Sequence, residues 1–581
     1  MRSWSIGEVA RLLGVKPHVI RYWESELPLL SPRKGLSGRR EYGSREIGLL
    51  LRFRHLLYER KFTIEGAKRA MWEALGGPEP DSAARFSEVR SGLIEALMTL
   101  RRDRAIAAAG GVGMSGGREG GMTEESTRER FEAMGQGHLF AHWPARPAHM
   151  KRRLLEDLAS IDPAVLGELR ASLQAGMPAI AEPLVPAPYV TREQSRADAE
   201  ARELGEELVH RSRTALLTVA GGQGSRLGFE GPKGMFPVTP IRRLTLFAAF
   251  AEKLRAARRW YGADIQWLIM TSPHTHAATE DYFEREKWFG LGKGSVTLFV
   301  QGTLPSLSPE GALLLAQDGG IFSNPNGHGG AIDALRRAGL GESLRDRGVE
   351  ELFYFQIDNP LVRVPDPVFL GFHRRENADV SSKVVEKSFP GEKLGAIVTA
   401  GGRPAVIEYS DFDERAMNAR DPAGRLLFSH GSIAVHLLSL EFLGRPGFRL
   451  PYHLARKRVR ALNPTPAGTE TVEREAVKLE LFIFDAIPLA RRALFFETER
   501  AEEFAPLKNR EGVDSLETCV RGQVEKSARW LEACGVAVPR DAVGRSRYTI
   551  EISPLFALDP SVLAAKRGSL KDSIDEDTLL V

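Results

Sequence analysis

Residues Leu217–Lys233 read LTVAGGQGSRLGFEGPK, and this stretch decides how the chain is built. The β-rich run Thr214–Val219 breaks into Gly221, Gly222 and Gly224. Glycines let backbone N–H groups approach a phosphate chain without hindrance from Cβ, and successive N–H groups form an anion-binding nest. Arg226 and Lys233 add the positive charge that a polyphosphate requires. A P-loop is excluded because no Gly-Lys-Ser/Thr closes the run. The dinucleotide fingerprint is excluded too, because Gly222 and Gly224 lack a glycine three residues on.

Outward from this loop, β-like runs alternate with helical patterns: Trp267–Met270, Val296–Val300 and Leu352–Ile357 are the clearest strands. That alternation predicts an α/β domain with a central mixed, mainly parallel sheet over residues 214–445. Residues 126–213 read as mostly helical, and 446–581 mix strands and helices.

At 581 residues more than one domain is expected. Hydrophobic residues make up 43% and charged residues 27%, which is ordinary for a soluble protein, and no apolar run is long enough to span a bilayer. MRSWSIGEVARLLGV carries no apolar signal core, and Cys519 and Cys534 give no disulfide framework. A cytoplasmic, reducing location is therefore expected. The net charge of +4 is unevenly placed. Residues 1–75 hold 15 Lys/Arg against 8 Asp/Glu, so the remainder of the chain is slightly acidic. A basic segment beside a near-neutral remainder points to a polyanion partner for that segment alone.

Within residues 1–77, Ser5–Gly14 predicts a helix with a serine cap and a glycine stop, and Val15–Glu24 a second helix after a short turn. Leu30–Tyr42 has the basic, glycine-bearing look of a wing, and Ser44–Lys61 and Thr63–Leu75 read as further helices. The motifs IGEVA, VKPHVIRYWE and GRREY resemble the DNA-binding domain of the mercury-resistance-regulator (MerR) family. That resemblance implies a small all-α winged helix-turn-helix domain that binds duplex DNA. Lys16, His18, Arg21 and Tyr22 would face the DNA, and Arg33, Lys34, Arg39, Arg40 and Tyr42 would hold phosphates from the wing. Such contacts replace condensed counterions, so binding should be strongly salt-dependent.

Residues 78–125 hold an amphipathic helix and a glycine-rich linker. Phe86, Val89, Leu93, Leu97 and Leu100 recur at spacings of three and four, a face that could pair two copies as a homodimer. Gly110–Gly121 contains a literal GxGxxG at Gly111, Gly113 and Gly116, but no strand precedes it, so it reads as linker.

The opening loop itself resembles the GGxGTRLG-x4-PK signature of uridylyltransferases that make UDP-sugars, with Ser225 in place of Thr. From Phe131 onward the chain is similar to UDP-N-acetylglucosamine pyrophosphorylases. The likeness is carried by Gly135–Leu139, Val300–Pro305, Pro325–Gly330, Ile357–Asn359, Lys383–Lys387, Leu394–Ala396, Ile407–Ser410, Ile483–Asp485 and Pro506–Asn509. It implies a Rossmann-like nucleotidyltransferase domain that joins UTP to a sugar 1-phosphate.

By that resemblance Gly221, Gly222, Gly224, Gln301, Gly327 and His328 bind the nucleotide, with Gln301 against the uracil edge and Gly327 close to the base. Asp358 is the expected Mg²⁺ ligand. Gly395, Glu408 and Ser432 hold the sugar, and Arg226, Lys233 and Lys508 act on the phosphates. His328 stands where the family usually has Asn. In His430–His436, Ser432 and Val435 replace two more. Lost amides remove hydrogen bonds that could separate an N-acetyl group from a hydroxyl, so N-acetylglucosamine 1-phosphate and glucose 1-phosphate both stay open. The alternative is a regulator that uses the same fold as a sugar-nucleotide sensor. The presence of Arg226, Lys233, Asp358 and Lys508 together favours the enzyme. His138 and His142 are four apart, but Leu139 stands where a metalloprotease needs Glu, and His274 and His276 flank one residue after a strand; both pairs read as structural or surface.

Overall fold

The computed structural model describes residues 4–13, 15, 19–20, 23–24, 33–34, 40–59, 123–176, 180–465 and 468–581. The chain divides into two units, 1–121 and 122–581.

In the first unit the helix Ile6–Leu13 puts Val9, Ala10 and Leu13 on one face. Ile47, Leu50 and Phe53 of the helix Ser44–Arg54 recur three apart and join the same core. Trp23 meets Phe53 edge-on at 5.6 Å between ring centres. The expectation of an all-α domain is corrected by three short strands, β1 (Trp4–Ser5), β2 (Arg33–Lys34) and β3 (Arg40–Tyr42), in the antiparallel order β1-β3-β2. β3 bonds to both neighbours, so the wing hairpin gains a third strand from the residues ahead of the first helix. Tyr42 is corrected as well. Its ring is fully buried in this core and its hydroxyl donates to Glu24, so it is a packing residue and not a phosphate contact. The backbones of Arg33, Lys34 and Arg40 lie in β2 and β3. Lys16, His18, Arg21, Tyr22 and Arg39, the run Thr63–Leu75, the face Phe86–Leu100 and the linker all lie outside the described residues.

The second unit opens with the helices Glu124–Ala133, Ala148–Ser160 and Pro163–Ala175. Their apolar faces enclose Phe131, Leu154, Leu158, Leu166 and Leu169 against Leu307, Leu313 and Leu479 from far along the chain. Gln136 fixes that contact: buried, it donates to Gly311 O (3.2 Å) and accepts from Leu313 N–H (2.8 Å).

Next come β4 (Leu184–Pro186), β5 (Thr214–Val219), β6 (Trp267–Thr271) and β7 (Val296–Val300). β8 (Thr303–Pro305) and β9 (Ser323–Pro325) form a separate pair. β10 (Glu351–Gln356), β11 (Val380–Glu386), β12 (Gly395–Ala400), β13 (Arg403–Ile407) and β14 (His430–Ser439) follow. The central sheet runs β13-β12-β14-β10-β5-β6-β7 and is mixed. Its half β10-β5-β6-β7 is parallel, while β14 joins β10, β11 and β12 antiparallel. β6 is buried throughout and β5 nearly so, as expected of parallel strands covered on both faces. The helix Leu246–Tyr261 packs on one face and Gly330–Arg337 on the other.

The helices Ala199–His210 and Pro367–Arg375 cross at backbone distance. A Cβ on Gly205 would stand 1.7 Å from Pro367 O, and one on Gly371 would stand 1.6 Å from Ala201 O. The segment beyond residue 445 does not stand apart. β15 (Tyr452–Thr465) and β16 (Gly468–Leu481) form a long antiparallel ribbon, and Leu462 and Leu479 join the core of the opening helices. β17 (Ala493–Glu497) enters the central sheet parallel to β11. The helix Leu516–Ala533 packs with β18 (Ile550–Ile552) and β19 (Thr578–Leu580) around Leu531, Ile550 and Leu563. Among the described residues no helix is long and apolar enough to cross a membrane.

Candidate active site

The carboxyl ends of β5, β6, β7 and β10 converge, the place where open α/β sheets hold ligands. The glycine loop leaves β5, Ser272 follows β6, Gln301 follows β7 and Asp358 follows β10. The loop closes on itself: Lys233 N–H donates to Gly222 O (2.9 Å) and Gly224 N–H to Gly231 O (2.9 Å). This closure turns the Lys233 side chain toward β10, where Nζ lies 3.1 Å from Asp358 Oδ2. Both groups are largely buried, so the lysine and the expected metal ligand compensate one another. Arg226 sits in the short 3₁₀ turn Ser225–Leu227 and is exposed.

A cavity of about 270 Å³ lies beside Asp358. It brings together His328, Asp358, Gly395, Glu408, Ser432 and Lys508, which come from six separate stretches of chain. Gly395 and Ser432 face each other across β12 and β14. Burial raises the Glu408 carboxyl above its ordinary range and the nearby Asp411 adds to this, while His453 and Lys508 pull it down. Lys508 is held in a tight loop, its N–H donating to Asp514 O (2.7 Å).

Gln301 lines a separate cavity, with Thr303, Pro325 and Asn326. Gln301 Nε2 donates to Gly327 O (2.7 Å), and its Oε1 lies against Gly221, 3.1 Å from where a Cβ would stand. Gly327 is required by the fold as well as by any ligand. Its φ is +83°, and a Cβ there would meet Leu481 O at 2.4 Å, so it is backbone that excludes a side chain.

His328 lies flat on Phe482, with ring centres 5.3 Å apart and planes 10° apart. Its Nδ1 accepts from Ile483 N–H (3.3 Å), which leaves the proton on Nε2. Burial pushes this imidazole down to about 4, and the nearby His453 adds like-charge repulsion. It is therefore a neutral donor at physiological pH.

Ser432 has a local task that its sequence did not announce: its hydroxyl accepts from Ala434 N–H (3.3 Å). Ala434 takes φ +56°, unusual for a residue with a Cβ, where the register of β14 against β11 slips. That slip turns Ile433, Ala434 and Val435 toward the cavity. Phe484 and Tyr409 also line it without having been singled out. Both fall inside segments that carry the family likeness, Ile407–Ser410 and Ile483–Asp485, but only the fold brings the two segments to one wall. Outside the site, His138 bonds Leu313 O (2.8 Å) and His276 bonds Thr271 Oγ1 (2.8 Å).

A glycine loop and two lysines around one carboxylate suit transfer of a nucleotidyl group between anions. The UTP–glucose-1-phosphate uridylyltransferase family matches residues 183–516, and the chain belongs to that family. It is a UTP:sugar-1-phosphate uridylyltransferase that forms UDP-sugar. It is 33% identical over 456 residues to UDP-N-acetylglucosamine diphosphorylase 2 of Arabidopsis thaliana, covering 74% of this chain and 88% of the relative. It is 32% identical over 473 residues to the UDP-N-acetylglucosamine pyrophosphorylase of Saccharomyces cerevisiae, covering 77% and 98%. The crystal structure of the Trypanosoma brucei UDP-N-acetylglucosamine pyrophosphorylase superposes with a TM-score of 0.65 at 27% identity, covering 80% of this chain and 99% of that one. Residues 4–73 match the MerR HTH family regulatory protein model.

Proposed function

We propose that the protein joins UTP and N-acetylglucosamine 1-phosphate to give UDP-N-acetylglucosamine and pyrophosphate. The observation that carries the choice of sugar is the cavity wall beside Ser432 and Glu408. Ile433, Val435 and Phe484 offer apolar surface to an acetyl methyl group, and His328 Nε2–H offers a donor nearby. The names of the relatives from Arabidopsis thaliana and Saccharomyces cerevisiae point to the same sugar.

An oxygen of the sugar 1-phosphate attacks the α-phosphorus of UTP. That O–P bond forms as the bond to the β-phosphate oxygen breaks, and pyrophosphate leaves with the electron pair. The nucleophile is already an anion, so no general base is required. The protein's task is in-line placement and neutralisation of charge. Lys233 and Lys508 serve the phosphates, the loop N–H groups from Gly221 to Gly224 cradle them, and Glu408 accepts from sugar hydroxyls. Arg226, exposed on the same loop, is a further cation for the phosphates.

Among the described residues no group of three or more His, Cys, Asp or Glu side chains is arranged around a metal. One carboxylate, Asp358, fits an ion shared with substrate phosphates better than an ion caged by protein. Mg²⁺ held there would supply neutralisation of the triphosphate.

A second reading concerns residues 1–77: these bind duplex DNA, through phosphate contacts from the basic wing. The match over 4–73 and the surplus of basic residues support it.

One experiment addresses the enzyme and another the DNA-binding half. Purified protein with UTP, Mg²⁺ and a panel of sugar 1-phosphates should release pyrophosphate fastest with the N-acetylglucosamine ester. Binding of UDP-sugar without turnover would instead favour the sensor. A fluorescent duplex should bind with an affinity that falls steeply as salt rises. Salt-insensitive binding, or none, would remove the DNA-binding half of the reading.

A further inference from the structure

We infer that Asn359 is a positioning residue that sets Lys508 relative to Asp358. Asn359 is 4% exposed and both ends of its side-chain amide are used. Nδ2 donates to Glu503 O (2.7 Å), and Oδ1 accepts from Ala505 N–H (3.1 Å). Next to it, Asp358 O accepts from Leu507 N–H (2.8 Å). The bonded positions Glu503, Ala505 and Leu507 alternate by two, as along an extended strand. A side-chain amide carries the same donor and acceptor as a peptide, so Asn359 lengthens by one rung the contact that the Asp358 carbonyl begins. Lys508 is the next residue after the last rung.

The far end of this contact is anchored in the interior. Glu503 accepts from buried Lys383 Nζ (2.6 Å), from Thr498 Oγ1 (2.7 Å) and from Arg363 N–H (3.3 Å). Lys383 is held in turn by Asp366 (2.6 Å). The segment Glu503–Leu507 is therefore fixed at one end by a buried ion cluster and clipped to Asp358–Asn359 along its length. Beyond it, Lys508 and Asn509 N–H both donate to Asp514 O, closing the loop. Lys508 thus inherits its place from Asn359 on one side and from Asp514 on the other. The carboxylate and the lysine that must flank the same phosphates are tied together by an amide whose donor and acceptor are both taken by the protein itself. Small displacements of reacting groups cost large factors in rate, which is why such a tie matters.

This inference rests on the roles assigned above to Asp358 and Lys508, and a double-mutant cycle separates the two levels. Pyrophosphate release is measured at steady state with each substrate varied, which gives kcat and KM, and at single turnover with enzyme in excess where a variant is too slow. Wild type, Asn359→Ala, Lys508→Ala and the double variant are compared, with melting temperature alongside. Asn359→Asp keeps the side-chain size and the acceptor and replaces Asn359→Ala if the latter does not fold.

The expected result is a fall in kcat of about 100-fold for the Asn359 variant with KM for both substrates nearly unchanged. In the Lys508→Ala background the same change costs less than about threefold, because the group it positions is already gone. Equal losses in both backgrounds would reduce Asn359 to general support of the fold and overturn the inference. An unchanged kcat in Asn359→Ala would overturn it as well. Silence of wild type with every sugar 1-phosphate would instead defeat the enzymatic reading, and full activity of Lys508→Ala would defeat the role given to Lys508.

Discussion

The glycine loop Gly221–Lys233 and the cavity around Gly395, Glu408 and Ser432 face the same aspartate, yet they are built in different ways. The loop is one continuous stretch, closed by its own hydrogen bonds, and Lys233 reaches Asp358 from its end. The cavity is gathered from β12, β13, β14, the 506–508 segment and the turn after β9, and its shape depends on a register slip at Ala434. A site made from one stretch owes its shape to local geometry. A site gathered from many owes its shape to the fold, and its chemistry can drift one residue at a time.

Four experiments would break or sharpen that contrast. The largest effect is expected at the loop. Lys233→Ala removes a phosphate cation and leaves Asp358 without its partner, so pyrophosphate release should fall by about 10³-fold or more. A loss under tenfold would make the loop a mere scaffold.

Two glycines test where local geometry ends and fold begins. Gly327→Ala places a Cβ against Leu481 O at a positive φ and should cost about 2–3 kcal/mol of stability in a thermal or denaturant melt. Nothing lies within 4 Å of a Cβ on Gly222, so Gly222→Ala should melt like wild type while KM for UTP rises about tenfold through the crowded phosphate nest. The reverse pattern would exchange their assignments.

The loop was legible from its own residue types and spacing, whereas the other site residues were assigned through the family resemblance of the short segments that hold them. Gln301, Gly327, Asp358, Glu408 and Lys508 each fall inside such a segment. What the sequence could not supply is how segments meet. Tyr42 looked like a wing residue from its basic neighbours, but β3 turns its ring into the core. Ser432 looked like a plain loss of an amide, whereas its hydroxyl supports the Ala434 turn. Asn359 showed no role at all until the chain from Glu503 to Leu507 was laid beside it. The strand β17, over 100 residues after β11, joins the same sheet by a contact with no local signal.

Smaller effects are expected from the cavity. Ser432→Asn restores an amide facing the sugar and should move the kcat/KM ratio by about tenfold toward the N-acetyl ester over glucose 1-phosphate. No change in that ratio would place sugar choice on the apolar wall alone.

The smallest effect is a pH dependence of stability. His328 is held down to about 4 and His436 to about 3, both first by burial, against 6.5 when free. The folded state then binds fewer protons than the unfolded chain between those values. Stability is retained above about 6.5 and declines as pH falls toward about 4, through both residues at once. His328→Asn should flatten that decline in a melt series. An identical slope would mean that His328 titrates normally in the folded protein.

The ribbon β15–β16 has a consequence for behaviour in solution. Along Arg456–Arg460 and Glu473–Glu475 it leaves the body of the protein, and charged side chains there face water. A bare two-stranded ribbon has two open edges, each able to recruit another chain. Here Arg458 stands across from Glu475 and Arg460 across from Glu473, so charged residues line both strands where they would otherwise self-pair. Those charges make the ribbon a poor template for edge-to-edge pairing.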